Sequence, residues 1–208
     1  MAKRKPSKTQ LTIAGVIYTL LFAGAGYGLT DRDSDNKCKG TQRWDVKVVA
    51  ENENSDYNIS MKPMAATIEY LNSIPTDGYD IKPKTPRQDI ETQVYTIKNC
   101  FITHAILEND NDIHLVLEDG KNHTMIAEIP DPDCEITGDS ELAERYRKAR
   151  QTFLDNKLIY QNYQWNISGI LFIDKKHPTS PTGNADNNIE LHPVISLKRG
   201  KKITNGLF

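Results

Sequence analysis

Three apolar stretches of this chain carry histidine or glutamate where an ordinary β-strand would have valine or threonine. They span residues 112–117, 124–130 and 189–196, and the side chains in question are His114, Glu128, Glu190 and His192. Imidazole and carboxylate groups together suit zinc and similar divalent metals. These four residues are the candidates for a ligand or metal site, and a catalytic version would leave one coordination position open for water.

The same four side chains also suit a purely structural role. Glutamate–histidine pairs on neighbouring strands can satisfy each other and fix the strand register. No His-Glu-x-x-His or comparable sequential metal motif supports a metal site over the structural role. Asp112 and Asp174 are secondary candidates, because an acidic residue beside a strand can act as an acid or simply bond to turn backbone. The sequence therefore permits a divalent metal as a cofactor without establishing one, and it identifies no reaction.

Five predicted strands and one helix would position these side chains. The strands span residues 94–107, 114–118, 124–129, 162–173 and 189–197. Between the third and fourth strands, Ser140 is a suitable helix N-cap, and apolar residues recur at helical spacing from Leu142 to Phe153. This order predicts a mainly β fold: a five-stranded OB-like Greek-key barrel over residues 93–200.

The expected register of that barrel brings the candidates together. In an OB-like barrel the third strand pairs with the fifth, and the second lies beside the third. The residues predicted to face the core are Ile113, Leu115, Leu117, Ile189, Leu191 and Ile195. His114, Glu128, Glu190 and His192 then share the opposite face of three adjacent strands, although a one-residue slip would reverse this.

The chain before the barrel is predicted to be less regular. Residues 31–92 are interpreted as a linker and an irregular N-terminal extension, and residues 201–208 as a tail. Within the extension, residues 43–49 resemble a short strand. Residues 65–74 resemble a short helix with Ile68 and Leu71 on one side.

Residues 1–30 have the pattern of an export segment. Four of the 26 basic residues and none of the 28 acidic ones lie there, and residues 11–30 have no charge. One interpretation is a signal anchor that tethers the chain to a membrane, since about 20 apolar residues span a bilayer. The alternative is a signal peptide cleaved near Ala25, which would release a secreted protein. Both place the body outside the cytoplasm, in a periplasmic or extracellular location.

The charge of the chain bears on its partners, and its cysteine content bears on disulfide pairing. Beyond residue 30 the formal charge is −6, which is a poor match for a phosphate-rich polymer and argues against nucleic acid. The second and third strands also lack the aromatic side chains on which single-stranded bases stack. Cys100 and Cys134 flank the strand region and are the predicted disulfide, which leaves Cys38 spare; pairing of Cys38 with either remains open.

Residues 87–197 resemble a family of uncharacterised exported bacterial proteins with an OB-like barrel. The shared motifs are residues 112–117, 124–134, 169–174 and 189–194, and Arg43-Trp44 with Val46-Lys47 looks like the family's opening motif. The resemblance implies an extracytoplasmic bacterial protein and brings no established activity. The family has His-Gly where this chain has His177-Pro178, which argues against a functional role for His177.

A second, fold-level similarity is to staphylococcal-type nucleases. Asp110 and Asp112 precede the second strand, and Glu128 begins a Glu-Ile-Pro-Asp sequence that matches the acidic end of the nuclease's third strand. His123 stands where those enzymes have a catalytic arginine. The cation that would stabilise a phosphorane is therefore missing, and the similarity implies a shared fold more than shared catalysis.

The sequence favours a membrane-tethered extracytoplasmic binding or structural module whose ligand it does not identify. The alternative hypothesis is a divalent-metal-dependent, nuclease-like hydrolase that uses the His/Glu face of the barrel. The two differ in whether His114, Glu128, Glu190 and His192 hold a metal or hold each other.

Overall fold

The computed structural model describes residues 43–51, 58–134, 140–175 and 185–204. The predictions for the export segment, Cys38 and His177 lie outside these residues. No helix within these ranges is long and apolar enough to cross a lipid bilayer. The elements are α1 (Trp44–Lys47), β1 (Ser60–Ala66), α2 (Ile68–Asn72), β2 (Gln93–Leu107), β3 (Ile113–Glu118), β4 (Thr124–Ile129), α3 (Ser140–Asn156), β5 (Tyr163–Ile173) and β6 (Ile189–Lys202).

Strands β2 to β6 form a closed barrel, which confirms the predicted OB-like fold. The sheet order is β1-β2-β3-β4-β6-β5, and a further pairing of β2 with β5 closes the ring. β4 pairs with β6 in parallel and with β3 in antiparallel fashion, as the Greek-key prediction requires. The helix α3 is the α-helix between β4 and β5. β1 is an additional strand parallel to β2, which the sequence analysis did not predict.

The barrel interior is filled by the alternating apolar side chains of all five strands. Leu115, Leu117, Ala127, Trp165 and Leu191 are fully buried there. This alternation is what a two-residue strand period predicts for a sheet with one buried face. The helix α2 adds Ile68 and Leu71 to the same core, so the predicted helix in this region is confirmed over a shorter range.

Ile195 does not belong to the barrel core, contrary to the prediction. In the pairing of β5 with β6, Ser168 faces Ser196 and Gly169 faces Val194, so Ile195 is an extra, bulged residue. A bulge shifts the inside–outside alternation by one position. Ile195 therefore packs against α3 on the outer face, in a second apolar cluster with Leu142 and Tyr146.

Two other predictions are also wrong. Residues 43–49 contain the helix α1 rather than a strand, because hydrogen bonds from the buried guanidinium of Arg43 override the strand preference of the local valines. Cys100 is a free thiol in the core, 3.4 Å from the Trp165 carbonyl, whereas Cys134 is in a disulfide. The predicted Cys100–Cys134 bond is therefore absent, since Cys100 points into the packed interior of the barrel.

Candidate functional site

The pairing of β3 with β4 places His114 directly opposite Glu128. The two residues are register partners, and Nδ1 of His114 lies 2.8 Å from Oε1 of Glu128. Oε1 of Glu108, in the turn before β3, lies 3.4 Å from the same imidazole nitrogen. His114 and Glu108 keep some solvent exposure, whereas Glu128 is buried. This pair is the edge of the site that is nearest to solvent.

The parallel pairing of β4 with β6 adds His192 and Glu190 to the same face. Nδ1 of His192 lies 2.7 Å from Oε2 of Glu128 and 3.4 Å from Oε1 of Glu190. The ring of Phe172, which faces Glu190 across β5 and β6, covers the imidazole at a centroid distance of 5.8 Å. His192 is completely buried. The structure thus brings all four of the main candidates together.

Asp112 lies on the other side of the His192 ring. Its Oδ2 atom is 3.2 Å from Nε2 of His192, but the two are not aligned for a hydrogen bond and neither has another hydrogen-bond partner among the described residues. The second carboxylate oxygen, Oδ1, accepts a hydrogen bond from the Asp131 backbone N–H at 3.3 Å. Both side chains are fully buried. The two atoms form an ion pair when the imidazole is protonated, but a buried pair without an aligned hydrogen bond is unusual in a protein interior.

Lys47 is the functional candidate that the sequence analysis missed. Its Nζ lies 3.4 Å from Oε2 of Glu128 and 3.9 Å from Oε1 of Glu190. It belongs to α1, and the residue before that helix, Arg43, is fixed by bonds to Glu91 (2.8 Å) and the Ile173 carbonyl (2.9 Å). The sequence signal for this residue was the Val46-Lys47 pair, which resembles a motif of exported bacterial proteins, and that resemblance assigns no role to the lysine.

We refer to these seven side chains as the polar cluster. Its members are Lys47, Glu108, Asp112, His114, Glu128, Glu190 and His192. They come from α1, the turn before β3, and strands β3, β4 and β6. Asp174 follows the end of β5: its backbone N–H donates to the Asn188 carbonyl at 2.9 Å, and its charge acts on Lys47 and Glu190.

Glu128 is the central anion of the polar cluster and three cations surround it. Burial alone would raise the pKa of Glu128, but Lys47 and His192 hold it well below the usual value. Burial and Lys47 would lower the pKa of His192, yet Glu128 and Asp112 raise it well above normal. Burial would also lower the pKa of Lys47, but the charges of Glu128 and Glu190 outweigh burial and raise the pKa of this lysine. The pKa of His114 is raised too, because Glu128 overcomes the effect of burial.

The other carboxyl groups bind protons more readily than usual. Burial and the nearby charge of Glu128 raise the pKa of Glu190 to about 7. Burial also raises the pKa values of Asp112 and Glu108. Burial and the ionised carboxylate of Glu128 therefore disfavour additional negative charge on the neighbouring carboxyl groups.

Within the described ranges, two groups of three residues have suitable atoms for a metal ion. Glu108, His114 and Glu128 form one group, and Asp112, Glu128 and His192 form the other, each with ligand atoms within 4.8 Å of one another. The second group contains the Asp112–His192 pair, and all three of its residues are buried. Oxygen and nitrogen ligands of this kind fit zinc or a similar divalent ion.

Comparison with known proteins adds no family and no activity. No protein-family model matches the chain, and no curated protein matches it. Two solved structures of Entamoeba histolytica asparaginyl-tRNA synthetase are similar over part of the chain, one of them in complex with asparaginyl-adenylate. Identities are 20% and 19%, over 53% and 68% of this chain but only 21% and 25% of the synthetases, and both TM-scores are 0.34. At that level the likeness carries no argument about function.

Proposed function

We propose that this protein is a membrane-tethered, extracytoplasmic OB-like binding module whose polar cluster is a structural network. The uncharged segment at residues 11–30, with basic residues before it, supports the tether. The disulfide at Cys134 supports a location outside the cytoplasm, since disulfides persist in oxidising compartments. The tether is tested by the intact mass of the exported protein. A mature chain starting at Gly26 would overturn it.

The observation that carries the structural role is the mutual compensation of charges from separate elements. The carboxylate of Glu128 contacts Lys47 of α1, His114 of β3 and His192 of β6. One buried anion thus joins three parts of the chain that are far apart in sequence. Buried charges are tolerated only when they are paired in this way.

A double variant tests the structural role. His114→Ala with His192→Ala should lower the free energy of unfolding, because it leaves Glu128 with only Lys47 as a counter-charge. Urea unfolding followed by circular dichroism gives the change. His104→Ala, an exposed histidine on β2, is the matched control. A double variant as stable as the wild type would contradict the structural role.

A second candidate function is that of a divalent-metal-dependent hydrolase. One observation favours it: Oδ2 of Asp112 and Nε2 of His192 are buried and 3.2 Å apart, and neither has an aligned hydrogen bond among the described residues. Two ligands of a tetrahedral zinc ion, each about 2.0–2.2 Å from it, are separated by about 3.3–3.6 Å, so the two atoms lie close to the lower end of that range. The Asp112, Glu128 and His192 side chains would hold the ion, which would supply Lewis acidity.

Metal analysis separates the two functions. Stoichiometric metal in the purified full-length protein, lost in Asp112→Asn with His192→Gln, would favour the hydrolase. Absence of bound metal, together with an unchanged melting temperature after addition of zinc or calcium, would exclude it and leave the structural network.

A further inference from the structure

A second polar region lies on the outer face of the barrel, where β2, β5 and β6 pair side by side. It is a cavity of about 510 Å³, bordered by Pro63 of β1. This volume lies within the range of sites for small ligands. We refer to it as the lysine pocket. None of its lining residues belongs to the polar cluster.

One row of the lysine pocket consists of hydroxyl groups from three adjacent strands. Thr96 of β2 pairs with Ser168 of β5, which pairs with Ser196 of β6. Oγ1 of Thr96 and Oγ of Ser168 lie 2.7 Å apart. The three hydroxyls form a continuous strip across the sheet, and each can donate as well as accept a hydrogen bond.

The next row carries the positive charge and the amides. Asn166 of β5 pairs with Lys198 of β6, and a bulge in β2 adds Lys98 and Asn99 beside them. Asn99 has a left-handed backbone (φ 57°), and its N–H donates to Oδ1 of Asn166 at 3.0 Å. This bond occupies the carbonyl of the Asn166 amide and leaves its NH₂ group as a donor.

The charge of the lysine pocket is not compensated. No carboxylate lines it, and within the part of the chain that the structure describes no acidic oxygen lies within 4.0 Å of the ammonium groups of Lys98 or Lys198. Two like charges near each other in a concave surface favour a negatively charged ligand. The described residues of the pocket therefore carry a positive charge that a bound anion would neutralise.

We propose that the lysine pocket binds a phosphorylated sugar or sugar alcohol. Lysine ammonium and amide NH₂ groups are donors that suit phosphate oxygens, and the strip of hydroxyls suits a polyhydroxylated ring beside the phosphate. Among the described residues no aromatic ring lines the pocket, so these residues offer no stacking surface for a nucleobase. This gives the binding module proposed above a ligand class, and it rests on that proposal for the role of binding.

Calorimetry on the full-length protein in an uncharged detergent tests the assignment. Glucose 6-phosphate should bind at least tenfold more tightly than glucose, because only the phosphate meets Lys98 and Lys198. Lys98→Gln and Lys198→Gln should each weaken glucose 6-phosphate binding about tenfold. Lys201→Gln removes a positive charge from the same strand as Lys198 but outside the lining, and it should leave affinity unchanged.

Further ligands separate the sources of the phosphate. Tighter binding of glycerophosphoinositol than of glucose 6-phosphate would identify a phosphodiester headgroup, and the reverse order a free sugar phosphate; both support the pocket. Equal binding of glucose and glucose 6-phosphate, no binding of either at millimolar concentration, or an equal loss in Lys201→Gln would overturn it. If none of these ligands binds as expected while His114→Ala with His192→Ala still lowers the free energy of unfolding, the lysine pocket is rejected and the structural network is retained.

Discussion

The polar cluster and the lysine pocket occupy the outer faces of the same barrel but differ in whether their charges are buried and paired. In the polar cluster, the buried carboxylate of Glu128 is surrounded by Lys47, His114 and His192. In the lysine pocket, the two exposed lysines Lys98 and Lys198 have no described acidic residue among their neighbours in the lining. Compensated and buried charges are typical of structure, whereas an uncompensated, accessible charge is typical of a surface that meets a ligand.

The difference suggests how the barrel divides its tasks. β6 contributes to both regions, through Glu190 and His192 near its start and through Ser196 and Lys198 further along. β6 has two extra residues relative to β5 between Leu191 and Ser196, and such bulges bend the strand between the two regions. One strand can therefore anchor a closed polar network at one end and an open polar pocket at the other.

The largest expected effect is the loss of the central anion. Glu128→Ala would leave Lys47, His114 and His192 without their shared counter-charge, and breaking a buried pair from one side costs about 3–5 kcal/mol. Urea unfolding measures the change. Glu144→Ala, which removes an exposed carboxylate paired with Arg147 on α3, should leave stability nearly unchanged. Equal effects of the two variants would remove the distinction between buried and surface charge.

The pH dependence of stability is the second test. The pKa of Glu190 is raised to about 7 in the folded protein from 4.5, so its stabilisation is complete below about 4.5 and is lost as pH rises through 7. The raised pKa values of His114 and His192 act in the same direction, with loss above 6.5. The free energy of unfolding should therefore fall between pH 5 and pH 8, by about 2–3 kcal/mol from Glu190 alone.

Urea unfolding in EDTA, repeated across this pH range, measures the fall. Glu190→Gln removes one titrating group and should flatten the profile. Glu141→Gln on the exposed face of α3 should not. A profile that is equally steep in Glu190→Gln would show that this carboxyl group does not hold its proton in the polar cluster.

The third test concerns the contact between β5 and β6 that separates the two regions. A Cβ atom at Gly169 would lie 2.8 Å from Cβ of Leu191 and 3.0 Å from the Pro193 carbonyl. Gly169→Ala should therefore destabilise the protein by about 1–3 kcal/mol. Gly78→Ala, where a Cβ would meet nothing within 4 Å, is the control. If Gly169→Ala also abolishes sugar phosphate binding at saturating ligand, the two regions are coupled through this contact.

Much of the barrel and part of the polar cluster could be predicted from sequence. Alternation along β3 and β4 placed His114 and Glu128 on one face because a strand has a period of two, and the OB-like order supplied the neighbour of β4. The pairing of Glu128 with both histidines required only the register.

The position of Lys47 and the bulges in β2 and β6 depend on long-range contacts that no local sequence pattern shows. Lys47 reaches Glu128 only because Arg43 binds Glu91 and the end of β5, which makes α1 a helix where three valines favour a strand. Bulges in β6 and β2 place Ile195 outside the core and Lys98 in the lysine pocket. The position of a bulge depends on the partner strand rather than on composition.

The smallest effect is expected from the lysine pocket itself. Lys98→Gln or Lys198→Gln should change the free energy of unfolding by less than about 0.5 kcal/mol, because neither ammonium is buried or paired with a described acid. Lys47→Gln, the same substitution in the polar cluster, should cost about 3 kcal/mol or more, since it removes a partner of buried Glu128. Parallel urea titrations of the three variants measure the contrast. A large loss in Lys98→Gln would mean that the pocket's charge supports the fold, and the separation between a structural network and a ligand site would then fail at the pocket.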